Sequence, residues 1–158
     1  MFLENLGLVL TLLACAIASL SPGIGSAKAV GRVGEMAAGV LTEDPSKFGK
    51  LLILQALPGT QGIYGLLTAF MVLWQSGILT GQPDIPWQKG LAFLIAVLPI
   101  TVVGYFSAVY QGRVSESGVA LVAKRPEEQA KALVLAAMVE TYAILALLAS
   151  VLAILRIL

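Results

Sequence analysis

Four apolar stretches, each long enough to cross a bilayer, constrain this chain more than anything else in it. A helix crosses the hydrocarbon with about 20 residues, and the runs over residues 6–40, 48–74, 87–122 and 127–158 all exceed that. The first and third are longer than a bilayer requires and are predicted to tilt or to extend into water. With 58% apolar and 12% charged residues, little is left outside them for a soluble domain. The fold class is therefore an all-α membrane protein of four transmembrane helices. The beginning of the chain does not read as a cleaved signal peptide, because Glu4 stands where a basic stretch belongs. Cys15 is the only cysteine, so no intrachain disulfide can form and its simplest use is as a small packing residue. A net charge of +1 without basic runs argues against a nucleic-acid partner.

The basic residues orient the spans. Lys28, Arg32, Lys47 and Lys50 flank the first connection, and Arg113, Lys124, Arg125 and Lys131 the third. Only Lys89 lies near the middle connection and Arg156 near the C-terminus. The positive-inside rule then predicts cytoplasmic first and third connections, with both termini outside. Trp74 and Trp87 bracket a polar, turn-rich middle connection that contains Pro83 and Pro86, as interfacial aromatics do. Glu35 and Glu116 each follow an arginine, Arg32 and Arg113, at i,i+3, which predicts ion pairs within each helix.

The halves of the chain repeat, residue n of the first matching residue n + 81 of the second. Gly31-Arg32-Val33-Gly34-Glu35 answers to Gly112-Arg113-Val114-Ser115-Glu116, Ser26 to Ser107, Pro45 to Pro126, Lys50 to Lys131 and Thr60 to Thr141. A gapless match of this length marks a tandem duplication of a helical hairpin, residues 1–80 and 81–158. Two helices separate equivalent points, so both copies cross the membrane in the same sense. Small residues recur at four-residue spacing in both: Gly23, Ala27, Gly31 and Gly104, Ala108, Gly112. One such stripe can serve a tight contact inside a monomer, but two equivalent ones suit repeated packing about a common axis.

One position breaks the repeat. Glu140 falls where the first hairpin has Gly59. It stands nine residues from Lys131 and sixteen from Arg156, roughly 14 and 24 Å along a helix. Counted from the turn prolines, Glu140 is 14 residues beyond Pro126, Gln111 is 15 before it, and Thr60 and Gln61 are 15 and 16 beyond Pro45. Equal distance from a tight turn is equal depth in antiparallel helices, so four polar side chains share a level. A charged carboxylate at mid-bilayer costs on the order of 2.5–3.5 kcal/mol on insertion scales, and it persists when a proton, a cation or a basic partner neutralises it. Arg113, near the same depth, is one possible partner. Gln61 and Gln111 also fit plain interhelical hydrogen bonding, Thr60 a bond to its own i−4 carbonyl, and Tyr64 either packing or orientation of a carboxylate. Pro58-Gly59 disturbs the helix ladder and can turn a carbonyl toward a cavity. Carboxylate, amide, hydroxyl and carbonyl oxygens suit a hard cation; without His, a transition-metal site is not expected.

These motifs carry a resemblance across nearly the whole chain. GIGSAK and GRVGE in the first segment, LPGTQGIYG in the second and AAMVETYAILAL in the fourth resemble the 16-kDa proteolipids of V-type ATPases, most of all the K subunits of bacterial sodium-translocating enzymes. The resemblance implies a rotor ring of identical subunits, the first and third helices inside and the second and fourth outside. It implies Na⁺ held by Glu140, the Leu57 carbonyl, Thr60, Gln61 and Gln111, with Tyr64 bonded to Glu140. It also implies a stator subunit supplying a basic residue, a central-stalk subunit and surrounding lipid. H⁺ in place of Na⁺ is the alternative, and a small drug/proton antiporter a more distant one. A G-x-x-x-x-G-K-[ST] loop is absent, so ATP chemistry is expected on another subunit and none on this chain.

Overall fold

A computed structural model describes residues 5–81 and 84–157; Glu4 and Pro83 lie outside them. Every regular element among the described residues is helical. The first span is one helix, α1 (Leu6–Glu43), of 38 residues, about 57 Å at the usual rise. The second is α2 (Phe48–Ala56) and α3 (Thr60–Gln75), joined by a single 3₁₀ turn over Leu57–Gly59. The third is α4 (Trp87–Ala96) and α5 (Leu98–Lys124), and the fourth is α6 (Gln129–Ile154). All four are long and apolar enough to cross a membrane.

Proline chemistry explains the interruptions. Pro58 has no N–H to give and lies in the 3₁₀ turn, where the Thr60 N–H closes onto the Leu57 carbonyl. In the third span, expected to be continuous, Pro99 sits in the first turn of α5 and Val97 separates α4 from α5. The Ile100 N–H is taken instead by the Ser150 hydroxyl of α6, at 3.2 Å. Pro22 inside α1 leaves the Ala18 carbonyl without its i+4 donor, and Gly65 of α3 packs there. A Cβ at Gly65 would collide with that carbonyl.

The turns that join the first span to the second and the third to the fourth are short. Asp44 accepts from the Ser46 hydroxyl at 2.6 Å and the Ser46 N–H at 3.1 Å, and meets Lys47 at 3.3 Å. The Ser46 hydroxyl and then Lys47 hold its carboxyl below the usual range. Lys47 and Lys50 donate to the carbonyls of Ala123 and Pro126, pinning the end of α5 to the first hairpin.

Helices α1 and α5 pack side by side, with α3 against α1 and α6 against α5. The stripe Gly104, Ala108, Gly112 of α5 is buried in that first contact, against Pro22 and Ala29. The equivalent stripe of α1 is open: a Cβ on Gly23 or Gly31 would meet nothing within 4 Å. The flanks of α3 and α6 carry exposed Ile63, Leu66, Met138 and Leu145, as a lipid-facing surface does.

Within the described chain there are two dry clusters. One joins Ala14, Ala18, Val72, Phe93, Val97 and Ile154; the other joins Val33, Leu51, Leu54, Val119, Val122 and Ala132. On every helix the polar residues of interest fall between the two.

The arginines depart from the i,i+3 expectation. Arg32 forms a two-pronged ion pair with Glu116 across the halves, at 2.9 and 3.1 Å, rather than with Glu35. The glycine contact between α1 and α5 brings Glu116 within reach, and a cross-helix pair replaces the local one. Arg113 lies over the Tyr110 ring at 5.2 Å, so it pairs neither with Glu116 nor with Glu140.

Candidate functional site

The layer between the two clusters is built from α1, α3, α5, α6 and the 3₁₀ turn. Its one acid, Glu140, is half-buried on α6. One carboxylate oxygen accepts from the Tyr64 hydroxyl at 2.6 Å, and the other from the Gln111 amide at 3.3 Å. Gln111 also donates to the Ala136 carbonyl at 3.2 Å, and its own oxygen accepts from the Gln61 amide at 2.6 Å. Gln61 and Gln111 are fully buried, and the nitrogen and oxygen of each amide have hydrogen-bond partners. On the far side of Gln61, its oxygen lies 3.4 Å from the Thr60 hydroxyl, which donates to the Leu57 carbonyl at 2.9 Å. Thr60 therefore bonds its i−3 carbonyl, not i−4.

Glu140, Gln111, Gln61, Thr60, Leu57 and Tyr64 thus stand in one connected chain of contacts. The carboxylate has neutral hydrogen-bond donors and, among the described residues, no Lys or Arg ion-pair partner. Its negative charge is left for a mobile species to balance. Three further oxygens, from Leu57, Thr60 and Gln61, belong to the same chain of contacts, a donor set suited to a hard cation.

Two serines that sequence reasoning used only as markers of the repeat also hold the layer. Ser107 accepts from the Gln61 amide at 3.3 Å and donates to the Val139 carbonyl, next to Glu140, at 3.1 Å. Ser26 accepts the Gly62 N–H at 2.9 Å, filling an otherwise open donor in the first turn of α3. Their signal was the coincidence of Ser26 with Ser107 under the repeat, inside otherwise small-residue faces.

Comparison with known proteins places the chain among membrane rotor proteins. The family model for the C subunit of ATP synthase matches residues 13–72 and again residues 94–153, displaced by the same 81 residues at both ends. The K subunit of the V-type sodium ATPase of Enterococcus hirae is 48% identical over 153 residues, covering 97% of this chain and 95% of that protein. The K subunit of the A-type ATP synthase of Methanocaldococcus jannaschii is 40% identical over 147 residues, covering 93% of this chain and 60% of that protein.

Proposed function

The chain belongs to the family of the ATP synthase C subunit, and on that premise we propose that it is the rotor-ring component of a sodium-translocating V-type ATPase, carrying Na⁺ at Glu140. The observation that supports this most is an acid in the layer between two apolar clusters, met only by neutral donors. Leu57, Thr60, Gln61 and Gln111 supply the remaining oxygens for Na⁺, and Tyr64 fixes the carboxylate. Gln111 presents its amide N–H to Glu140 and would offer its oxygen when the cation is bound. Residues 1–80 and 81–158 act as two hairpins of one subunit. The first and third connections face the cytoplasm.

A closed ring follows from the packing of the halves. The contact of α1 on α5 uses one of two equivalent small-residue stripes, and the open stripe on α1 receives the α5 of the preceding copy. A copy faces lipid only while Glu140 is neutralised, so its site fills before it leaves the stator. There a basic group on the stator subunit displaces the ion, and a central-stalk subunit delivers the torque. Moving one charge through 100 mV exchanges about 2.3 kcal/mol. The ring protein itself is not catalytic; ATP is turned over elsewhere in the complex.

Labelling of Glu140 with a hydrophobic carbodiimide across pH, with and without Na⁺, tests the reading. Protection by Na⁺ at fixed pH is expected. Labelling that depends on pH alone would assign H⁺ as the cargo and overturn the sodium assignment.

A further inference from the structure

The ion pair between the halves, taken through the 81-residue repeat, identifies a second pair that one chain cannot make. Within the chain, Arg32 of the first hairpin reaches Glu116 of the second at 2.9 Å. The same step applied once more turns Arg32 into Arg113 and Glu116 into Glu35 of a following hairpin. Both groups are free for it. Arg113 and Glu35 are exposed, and among the described residues neither forms an ion pair. We propose that successive copies of this chain are joined by an ion pair between Arg113 of one copy and Glu35 of the next. The pair rests on the ring reading above and deepens it by naming its polar joint.

Two other contacts obey the same operation. Lys50 donates to the Pro126 carbonyl at 2.9 Å within the chain; its counterpart, Lys131, reaches the next copy's Pro45 carbonyl. Lys131 is well placed for this, since 73% of its side chain is exposed and, among the described residues, its ion-pair partner is Glu128 in the turn just before α6. Gly112 packs on Ala29 within the chain, so Tyr110 of one copy lies on Gly31 of the next. Gly31 has the empty space that an aromatic ring requires, and Tyr110 is half-exposed and already carries Arg113 beside it. Shape and charge therefore agree on one occupant for the open face of α1, a second copy presenting its α5. The assembled ring then carries an unbroken circle of Arg–Glu pairs, alternately within and between chains.

Cross-linking in native membranes tests the joint. In a Cys15→Ala background, Glu35→Cys with Arg113→Cys is treated with a short bismaleimide, because these long side chains can bridge backbones too far apart for a disulfide. A ladder of dimers, trimers and larger species is expected. The control, Arg32→Cys with Glu116→Cys, closes within each chain and gives no ladder. Absence of a ladder from the first pair, in a protein whose native mass is still a ring, overturns the joint and spares the ring. A native mass of one chain for the unmodified protein removes both. Charge reversal is independent of geometry: Arg113→Glu loses the detergent-resistant ring, and adding Glu35→Arg restores it. Failure of the double variant to restore the ring also overturns the pair.

Discussion

In the first hairpin the membrane helix is broken at mid-depth, and in the second it is not. The 3₁₀ turn over Leu57–Gly59 places the Leu57 carbonyl and the side chains of Thr60 and Gln61 in the polar layer, but it brings no charge. At the same level α6 runs unbroken through Val139 and Glu140, which brings the charge but offers no such turn. The site exists only because the halves meet, with Tyr64 and Gln61 reaching from one hairpin to Glu140 and Gln111 of the other. The two copies of the hairpin thus differ: the first brings only neutral groups to the layer, and the second brings the acid together with the Gln111 amide.

The largest break in this division is Glu140→Gln, which leaves helix packing intact but removes the charge. ATP-driven Na⁺ uptake into vesicles holding the assembled complex is expected to fall to background. Moving the acid, as Glu140→Gly with Gly59→Glu, should not rescue transport. The residue that replaces Gln111 under the repeat is Val30, whose methyl lies 3.5 Å from where a side chain at Gly59 begins. Restored uptake would show that the halves are interchangeable.

Tyr64→Phe removes one charge-assisted hydrogen bond across the halves, a loss of about 1.5–3 kcal/mol, and should weaken Na⁺ protection of Glu140 tenfold or more. Unchanged protection would mean that Tyr64 only packs. The glycine stripes offer a comparison of stability. Gly112→Ala presses on the Ala29 Cβ at 2.6 Å and should destabilise the chain by about 1–3 kcal/mol in denaturant titrations. Gly31→Ala opens onto free space and should change the isolated chain by no more than about 0.5 kcal/mol. The smallest contrast is between two threonines with the same local bond, Thr60 to Leu57 and Thr141 to Met138. Thr60→Val should weaken ion protection a few-fold, on the order of 1 kcal/mol, while Thr141→Val leaves it unchanged.

The spans and the polar level were legible because both depend on local quantities, the rise of a helix and the distance from a turn. Glu140, Gln111, Gln61 and Thr60 needed only counting from Pro45 and Pro126. What counting could not supply is azimuth: which way a residue points once helices touch. Arg32 had an acid three residues away on its own helix and chose one on another, because Gly112 allowed α5 to come close. Ser26 and Ser107 served only to mark the repeat, and their hydroxyls, like that of Ser150, acquire partners from helices distant in sequence. The break at Val97 was hidden for a different reason. Pro99 could stand in the first turn of a helix or kink a continuous one, and the sequence around it is equally apolar either way.

The dry clusters above and below the ion layer have a consequence for leakage. Val33, Leu54 and Val119 stop the bundle on one side, and Val72, Phe93 and Val97 on the other, all without exposed surface. A cation seated between these plugs has no axial escape through the bundle. On the proposed function, the cation boards and disembarks sideways, past the half-buried flank of α6, where a neighbouring protein would have to open a port.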